Sequence, residues 1–264
     1  MPEYDLERLT VLVTGGASGI GRATAIRFAR AGASVAILDR DAEAAAAVAT
    51  ELRDEGAGQS IRLVGDVSKP EDVERAFARV LATLGPIDTC VIAAGTGTTG
   101  GTVDQLSVEE WDRVLGVNLR GAFLVLRQAI KHLREAGGGT ITAVASVDGV
   151  VAETGLAAYN ASKAGLVNLV RTVALDHARE GIRANVVAPS ATDTPMLRGR
   201  AGALPDDDPL IARLVARHPV PRLLAPEEIA ETIAFLASRA ASGITGAIVP
   251  VDLGLLAGWE APRP

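Results

Sequence analysis

The sequence predicts an α/β protein, a parallel sheet of about seven strands with helices on both faces. Short apolar runs alternate with amphipathic stretches along nearly the whole chain, the pattern of repeated strand–helix units. Several of the runs are continuously apolar, as strands covered on both faces are. The first run also leads through a glycine-rich turn directly into a helical repeat.

The elements follow in order. Leu9-Thr-Val-Leu-Val13 is a short β-branched run, the core of a strand over 9–14. It enters Thr14-Gly15-Gly16-Ala17-Ser18-Gly19-Ile20-Gly21, and apolar residues at helical intervals predict a helix over 20–31, stopped by Gly32. A second strand, 34–38, ends in Asp39. The alanine-rich stretch Ala44 to Ala49 predicts a close-packed surface helix over 42–55. Further strands are expected near 60–65, 87–93, 139–145, 182–188 and 246–251, and helices near 70–84, 107–117, 119–136, 157–180 and 226–237. One stretch breaks the rhythm. Leu197 to Pro221 carries prolines, the run Asp206-Asp207-Asp208, and Arg198, Arg200, Arg213 and Arg217, and reads as an insertion between the sixth strand and a late helix. Loops this long are often functional. The Asp run reads as a solvated helix start. With no repeat or hinge-like linker, the chain is expected to be a single domain over 1–264.

Composition sets limits. The chain has 264 residues, is 48% hydrophobic and contains 28 glycines, enough for a large core and many tight turns. A net charge of -6 leaves no basic footprint for nucleic acid. No apolar run reaches the ~18–20 residues that span a bilayer, and the acidic start, with Glu3, Asp5 and Glu7, does not read as a secretory signal. The lone cysteine, Cys90, lies in an apolar run and reads as a small core residue. His132, His177 and His218 are scattered without metal-ligand spacing, so no metal is expected. A cytoplasmic protein fits all of this.

Two constellations carry chemistry. Strand, glycine turn and helix together form a phosphate-binding context, because glycine admits close approach of a pyrophosphate and the helix start offers unpaired N–H groups. Asp39, eighteen residues after Gly21, is placed to accept hydrogen bonds from both hydroxyls of an adenosine ribose. Ser146, Tyr159 and Lys163 form the second. Tyr159 and Lys163 are one turn apart on a helix, so the ammonium favours the ionised phenol. A free tyrosine titrates near ~10, too high for efficient proton exchange at neutral pH. The spacing alone also suits an ordinary amphipathic helix. The glycine turn decides between the readings.

On these residues the chain resembles the short-chain dehydrogenase/reductase family, of the smaller single-domain type, whose fold is a Rossmann-type doubly wound parallel sheet. The glycine motif TGxxxGxG falls on Thr14, Gly15, Gly19 and Gly21, and the Asn-Ser-Tyr-Lys tetrad on Asn118, Ser146, Tyr159 and Lys163. The resemblance runs from about Leu9 to Gly254, and it implies that the insertion, about 195–221, is a lid over the substrate. It implies a nicotinamide cofactor along Gly15, Ser18, Gly19, Ile20 and Gly21, with Asp39 and Arg40 at the ribose and Asp66 and Val67 at the adenine. Ala93, Ala94 and Gly95 stand where relatives usually read Asn-Ala-Gly after a first Asn, so a local change in packing is expected there. Pro189 begins Pro189-Ser190 where relatives read Pro-Gly, and Thr192 and Thr194 match positions that hold the nicotinamide carboxamide. Asp252-Leu253-Gly254 departs from the common Asp-Gly-Gly. Asp39 opposes the 2′-phosphate of NADP, and Ser18 stands where NADP-preferring relatives often carry Arg or Lys, so NAD is expected over NADP.

The activity this implies is hydride transfer between NAD(H) and a secondary alcohol or ketone. Tyr159 is the proton-transfer group, Ser146 steadies the substrate oxygen, Lys163 tunes Tyr159, and Asn118 holds a water in a proton relay. Gly97, Val147, Leu156, Ser190, Ala191 and Met196 are expected around the substrate. Asp148 and Glu153 raise the prospect of a polyfunctional alcohol, against the plainer reading of a turn residue at Asp148 and an exposed Glu153. A cofactor-retaining epimerase or dehydratase, or a non-enzymatic NAD-binding regulator, are the alternatives. Family members pair through the helices near 107–136 and 157–180, so a homodimer or homotetramer is expected.

Overall fold

The structure, a computed structural model, describes residues 4–199 and 204–258. Seven parallel strands form one sheet in the order β3-β2-β1-β4-β5-β6-β7. In chain order they are β1 (Thr10–Thr14), β2 (Ser34–Asp39), β3 (Ser60–Val64), β4 (Thr89–Ile92), β5 (Gly139–Val144), β6 (Ile182–Pro189) and β7 (Ile248–Val251). The order records two excursions. From β1 the chain winds outward to β3, then crosses back to place β4 on the other flank of β1 and winds outward again to β7. Such a reversal opens a crevice at the carboxyl ends of the two central strands. Here that crevice lies between β1 and β4, paired in register from Val11↔Thr89 to Thr14↔Ile92.

Helices cover both faces. On one, α1 (Gly19–Arg30), α2 (Ala42–Asp54) and α9 (Pro226–Ala237) bury Phe28, Val48, Leu52, Ile229 and Ile233 against Val11 and Val13. On the other, α3 (Pro70–Leu84), α5 (Ala122–Glu135) and α6 (Ala157–His177) bury Phe77, Val80, Leu126, Leu133, Leu166 and Val170 against Leu12. Alternate residues of β1 thus serve opposite cores, which is why the strand carries no polar face. Cys90 is fully buried in the second core, and desolvation takes its thiol up to about 12. Edge strand β3 differs, with Val64 exposed.

Two differences from the sequence reading bear on function. The helices expected over 107–117 and 119–136 are continuous. α4 (Val108–Leu115) passes through a wide π turn, Gly116–Gly121, into α5. Neither end needs a stop there, so no break signal exists to be read. The insertion holds two short helices, α7 (Pro195–Arg198) and α8 (Pro209–Ala216), each with proline in its first turn, where the missing N–H is harmless. Arg200 of that insertion lies outside the described residues, as do 1–3, with Glu3, and 259–264. Of the Asp run, Asp208 caps α8 by accepting from the Leu210 N–H at 2.8 Å, and Asp206 pairs with Arg198 at 2.8 Å. No described helix is long and apolar enough to cross a membrane.

Candidate active site

A cavity of about 700 Å³ occupies the crevice at the carboxyl ends of the strands, within the usual size range of small-molecule sites. Its floor is the glycine turn. Gly15 takes φ +68°, a backbone region that other residues rarely enter, and a Cβ there would stand 2.7 Å from the Ala94 Cα. The Gly15 N–H donates to the Leu38 carbonyl at 2.8 Å. The turn is therefore clamped between β2 and the loop after β4. Ala93, at one of the two positions where asparagine is usual, and Ala94 line the cavity here, and the Ala94 N–H donates to Thr14 Oγ1 at 3.4 Å.

Three observations fit this end of the cavity to a dinucleotide. Helix α1 starts at Ser18 without a side-chain cap, whereas α2, α4 and α8 are capped by Asp41, Ser107 and Asp208. Its first N–H groups and dipole therefore face the cavity, where Ser18, Gly19, Ile20 and Gly21 lie. Asp39 accepts from the Ala17 N–H at 3.0 Å through Oδ2 and from the Asp41 N–H at 3.1 Å through Oδ1. Each oxygen retains a lone pair, and the carboxylate lines the cavity beside Arg40 and Asp41. Ser190 Oγ, finally, is buried in the wall without a hydrogen-bond partner. Asp66 and Val67 lie further along. Asp66 Oδ1 accepts from the Ser68 N–H and hydroxyl at 2.9 and 2.8 Å, and its own N–H donates to Asp72 at 2.9 Å. Gly95, Pro189, Thr192 and Thr194 complete this half.

The second half surrounds Ser146, just past β5. Its Oγ accepts from the Asp148 N–H at 3.1 Å and donates to Asp148 Oδ2 at 3.0 Å, closing a tight turn. That turn rests on α6, since a Cβ on Gly149 would sit 2.9 Å from the Lys163 carbonyl. Packing thus brings Ser146 to the helix bearing Tyr159 and Lys163. The Lys163 ammonium donates to the Val144 carbonyl at 3.0 Å and lies 5.6 Å from the Tyr159 ring centre. Burial lowers its pKa to about 8, partly opposed by the Asp148 carboxylate. Burial likewise raises the Asp148 carboxyl, with Glu153 adding repulsion, while Ser146, Arg217 and Lys163 pull the other way.

Every residue expected at the cofactor and substrate sites from the sequence lines this one cavity, together with Ser146, Tyr159 and Lys163. Asn118 stands behind it, in the π turn. Its Oδ1 accepts from the Thr96 N–H at 2.7 Å, and its Nδ2 donates to the Thr96 carbonyl at 2.9 Å and to Ser162 Oγ at 3.1 Å. The amide therefore braces the loop after β4 against α6, with one Oδ1 lone pair left over. Wide turns of this kind concentrate at functional sites.

Glu153 departs from the sequence reading. It is not solvent-facing but half-buried, paired with Arg217 at 2.9 Å. The pair ties the loop before Tyr159 to the end of α8. Within the segment expected over the substrate, sequence reading did not single out Leu210, Leu214 and His218 as cavity residues, and it missed Leu255. His218 is 5% exposed, with Nδ1 donating to the Arg222 carbonyl at 2.9 Å. The spacing Leu210, Arg213, Leu214, Arg217 was visible as one face of a helix, but nothing in the sequence said what that face covers. Among the described residues no cluster of His, Cys, Asp and Glu is arranged to hold a metal ion.

A family model described as enoyl-(acyl carrier protein) reductase matches residues 15–256. The cis-4-hydroxycyclohexanecarboxylate dehydrogenase of Sinomonas cyclohexanicum is 43% identical over 97% of this chain and 100% of its own length. The cyclohexanol dehydrogenase of Acinetobacter sp. (strain SE19) is 34% identical over 91% of this chain and 92% of its own. Among solved structures, a 3-ketoacyl-(acyl-carrier-protein) reductase from Brucella melitensis, complexed with NADH, superposes with a TM-score of 0.87. It is 36% identical over 95% of this chain and 99% of its own.

Proposed function

The chain belongs to the short-chain dehydrogenase/reductase family, and we propose that it interconverts a secondary alcohol and its ketone with NAD(H) as the cofactor. The observation that carries this is the convergence of Tyr159, Lys163 and Ser146 on one wall of a cavity whose other end fits a dinucleotide. The nicotinamide, when bound, accepts hydride from the carbinol carbon or returns it to the ketone. The chain's own residues hold and move the proton. Tyr159 takes the hydroxyl proton in oxidation and gives it back in reduction, and the Lys163 charge beside its ring favours the phenolate. Ser146 steadies the oxygen on which charge develops. Asp148 acts through Ser146, fixing the orientation of its hydroxyl.

The preference for NAD rests on Asp39. A carboxylate at the ribose favours a free 2′-hydroxyl and repels a 2′-phosphate. Asp66, Val67, Thr192 and Thr194 hold the adenine and carboxamide ends, and the segment 195–221 serves as the lid. Apolar side chains exposed on the outer helices, Val108, Trp111, Phe123 and Leu175, support assembly into a dimer or tetramer. A cytoplasmic location fits the chain's composition.

The test is a spectrophotometric screen of secondary alcohols and ketones for formation or consumption of NADH. We expect turnover with cyclic secondary alcohols, the class acted on by the two dehydrogenases compared above. Tyr159→Phe should lower kcat by at least ~100-fold while NADH still binds. Normal turnover by that variant removes the mechanism.

A further inference from the structure

The lid helix α8 presents one face to the cavity. Leu210, Arg213, Leu214 and Arg217, spaced as i, i+3, i+4 and i+7, all line it, while Ile211 turns inward and is buried. The two leucines make an apolar wall with Leu156, Val147 and Leu255. The two arginines differ. Arg217 is neutralised by Glu153 at 2.9 Å. Arg213 has no hydrogen bond or ion pair among the described residues. Several acids of the substrate half and the insertion are committed elsewhere: Asp148 to Ser146, Asp193 and Asp206 to Arg198, Asp208 to the start of α8. Arg213 thus lines the cavity from an exposed position with no acid of its own among the described residues, and is poised for an anion from outside the protein.

Position says which anion. The Glu153–Arg217 pair pins the end of α8 six residues before Tyr159, on the substrate side of the cavity. Arg213 lies one turn earlier, about 6 Å along the helix axis. Its reach is therefore toward a substrate whose carbinol oxygen lies at Ser146 and Tyr159. The pyrophosphate is assigned its own site at the start of α1.

We infer that Arg213 is a specificity residue that binds an anionic group on the substrate, so that the preferred substrate is a compact apolar secondary alcohol carrying a carboxylate away from its hydroxyl. This rests on the alcohol dehydrogenase reading above and names the substrate class of that same site. Arginine favours a planar acid, which it grips with two parallel hydrogen bonds. Leu210 and Leu214 cover the hydrocarbon between the two polar ends.

The experiment compares 4-hydroxycyclohexanecarboxylate with its methyl ester and with cyclohexanol, each oxidised with NAD. The wild-type protein should favour the acid over the ester. Arg213→Ala should lower the acid-to-ester ratio of kcat/KM on the order of 10- to 100-fold, the range of a hydrogen bond to a charged group, mainly through KM. Arg213→Lys should recover part of that ratio, keeping the charge but not the fork. Because the ratio is taken within each variant, loss of folded protein cancels. An unchanged ratio in Arg213→Ala overturns the inference. So does a rise in the KM for NAD that is equal for all three alcohols, which would assign Arg213 to the coenzyme. Wild-type turnover of cyclohexanol with no preference for the acid sinks this inference alone. No turnover of any of the three sinks the dehydrogenase reading with it.

Discussion

Replacing Lys163 by methionine should slow the enzyme and, at the same time, change how its stability depends on pH. The side chain is 5% exposed, and burial takes its ammonium to about 8. In the unfolded chain a lysine titrates near ~10.4. Between those values the unfolded chain binds the extra proton and the folded chain does not, so stability rises with pH across that window. Below about pH 8 the fold carries the full cost of the buried charge, roughly 3 kcal/mol for a shift of this size. Methionine has no proton to bind. The wild-type stability minus that of Lys163→Met should therefore rise by about 2 to 3 kcal/mol between about pH 7 and about pH 10. Loss of the bond to Val144 affects both pH values and drops out of the difference. Urea unfolding of both proteins at the two pH values measures it. Parallel stability at both, within about 0.5 kcal/mol, would refute the argument. The charge has a second effect. Lying 5.6 Å from the Tyr159 ring centre, it favours the phenolate over the phenol. The variant should then lose on the order of 100-fold in kcat near neutral pH, within the range of general acid–base catalysis.

Two further outcomes are expected. Asp39→Ser should lower kcat/KM for NAD by about tenfold, the value of a lost charge-assisted hydrogen bond, and narrow the gap to NADP. A wild-type protein that already prefers NADP would contradict the role given to that carboxylate. Asp148→Ala should lower kcat about tenfold for polar and apolar alcohols alike, since it frees the Ser146 hydroxyl that Asp148 now holds at 3.0 Å. A loss confined to polar alcohols would instead place Asp148 on the substrate.

The sheet was legible because each strand and helix carries a local signal. Continuous apolar runs announced doubly covered strands, and Asp41, Gly32 and the N1 prolines mark their helix ends within the sequence itself. The glycine turn and the Tyr159–Lys163 spacing were legible for the same reason, as each is contained in a few consecutive residues. What was not legible depended on partners far along the chain. Glu153 read as exposed because its partner, Arg217, is distant in sequence. Asn118 carried a family role, but its amide is committed to Thr96 and Ser162, contacts that only the packed π turn against α6 creates. His218 read as a scattered histidine because nothing in the sequence shows that the segment after α8 lies at the cavity wall.

The walls of the cavity are unequal, and the difference separates chemistry from specificity. Ser146, Tyr159 and Lys163 are mounted on β5 and α6, which share the second core, so moving them means disrupting packing that includes Leu166 and Val170. The lid wall is held more lightly. Helix α8 has eight residues and buries only Ile211, and the Glu153–Arg217 pair that pins its end is about a third exposed on each side. Such a pair contributes roughly 0–1 kcal/mol. Opening that wall to admit a substrate is therefore cheap, while the proton-transfer geometry behind it stays fixed. On the inference drawn for Arg213, a substrate able to engage that side chain would stabilise this wall against the rest of the cavity. The residues that choose the alcohol are for this reason expected on α8, and those that react with it just past β5 and on α6.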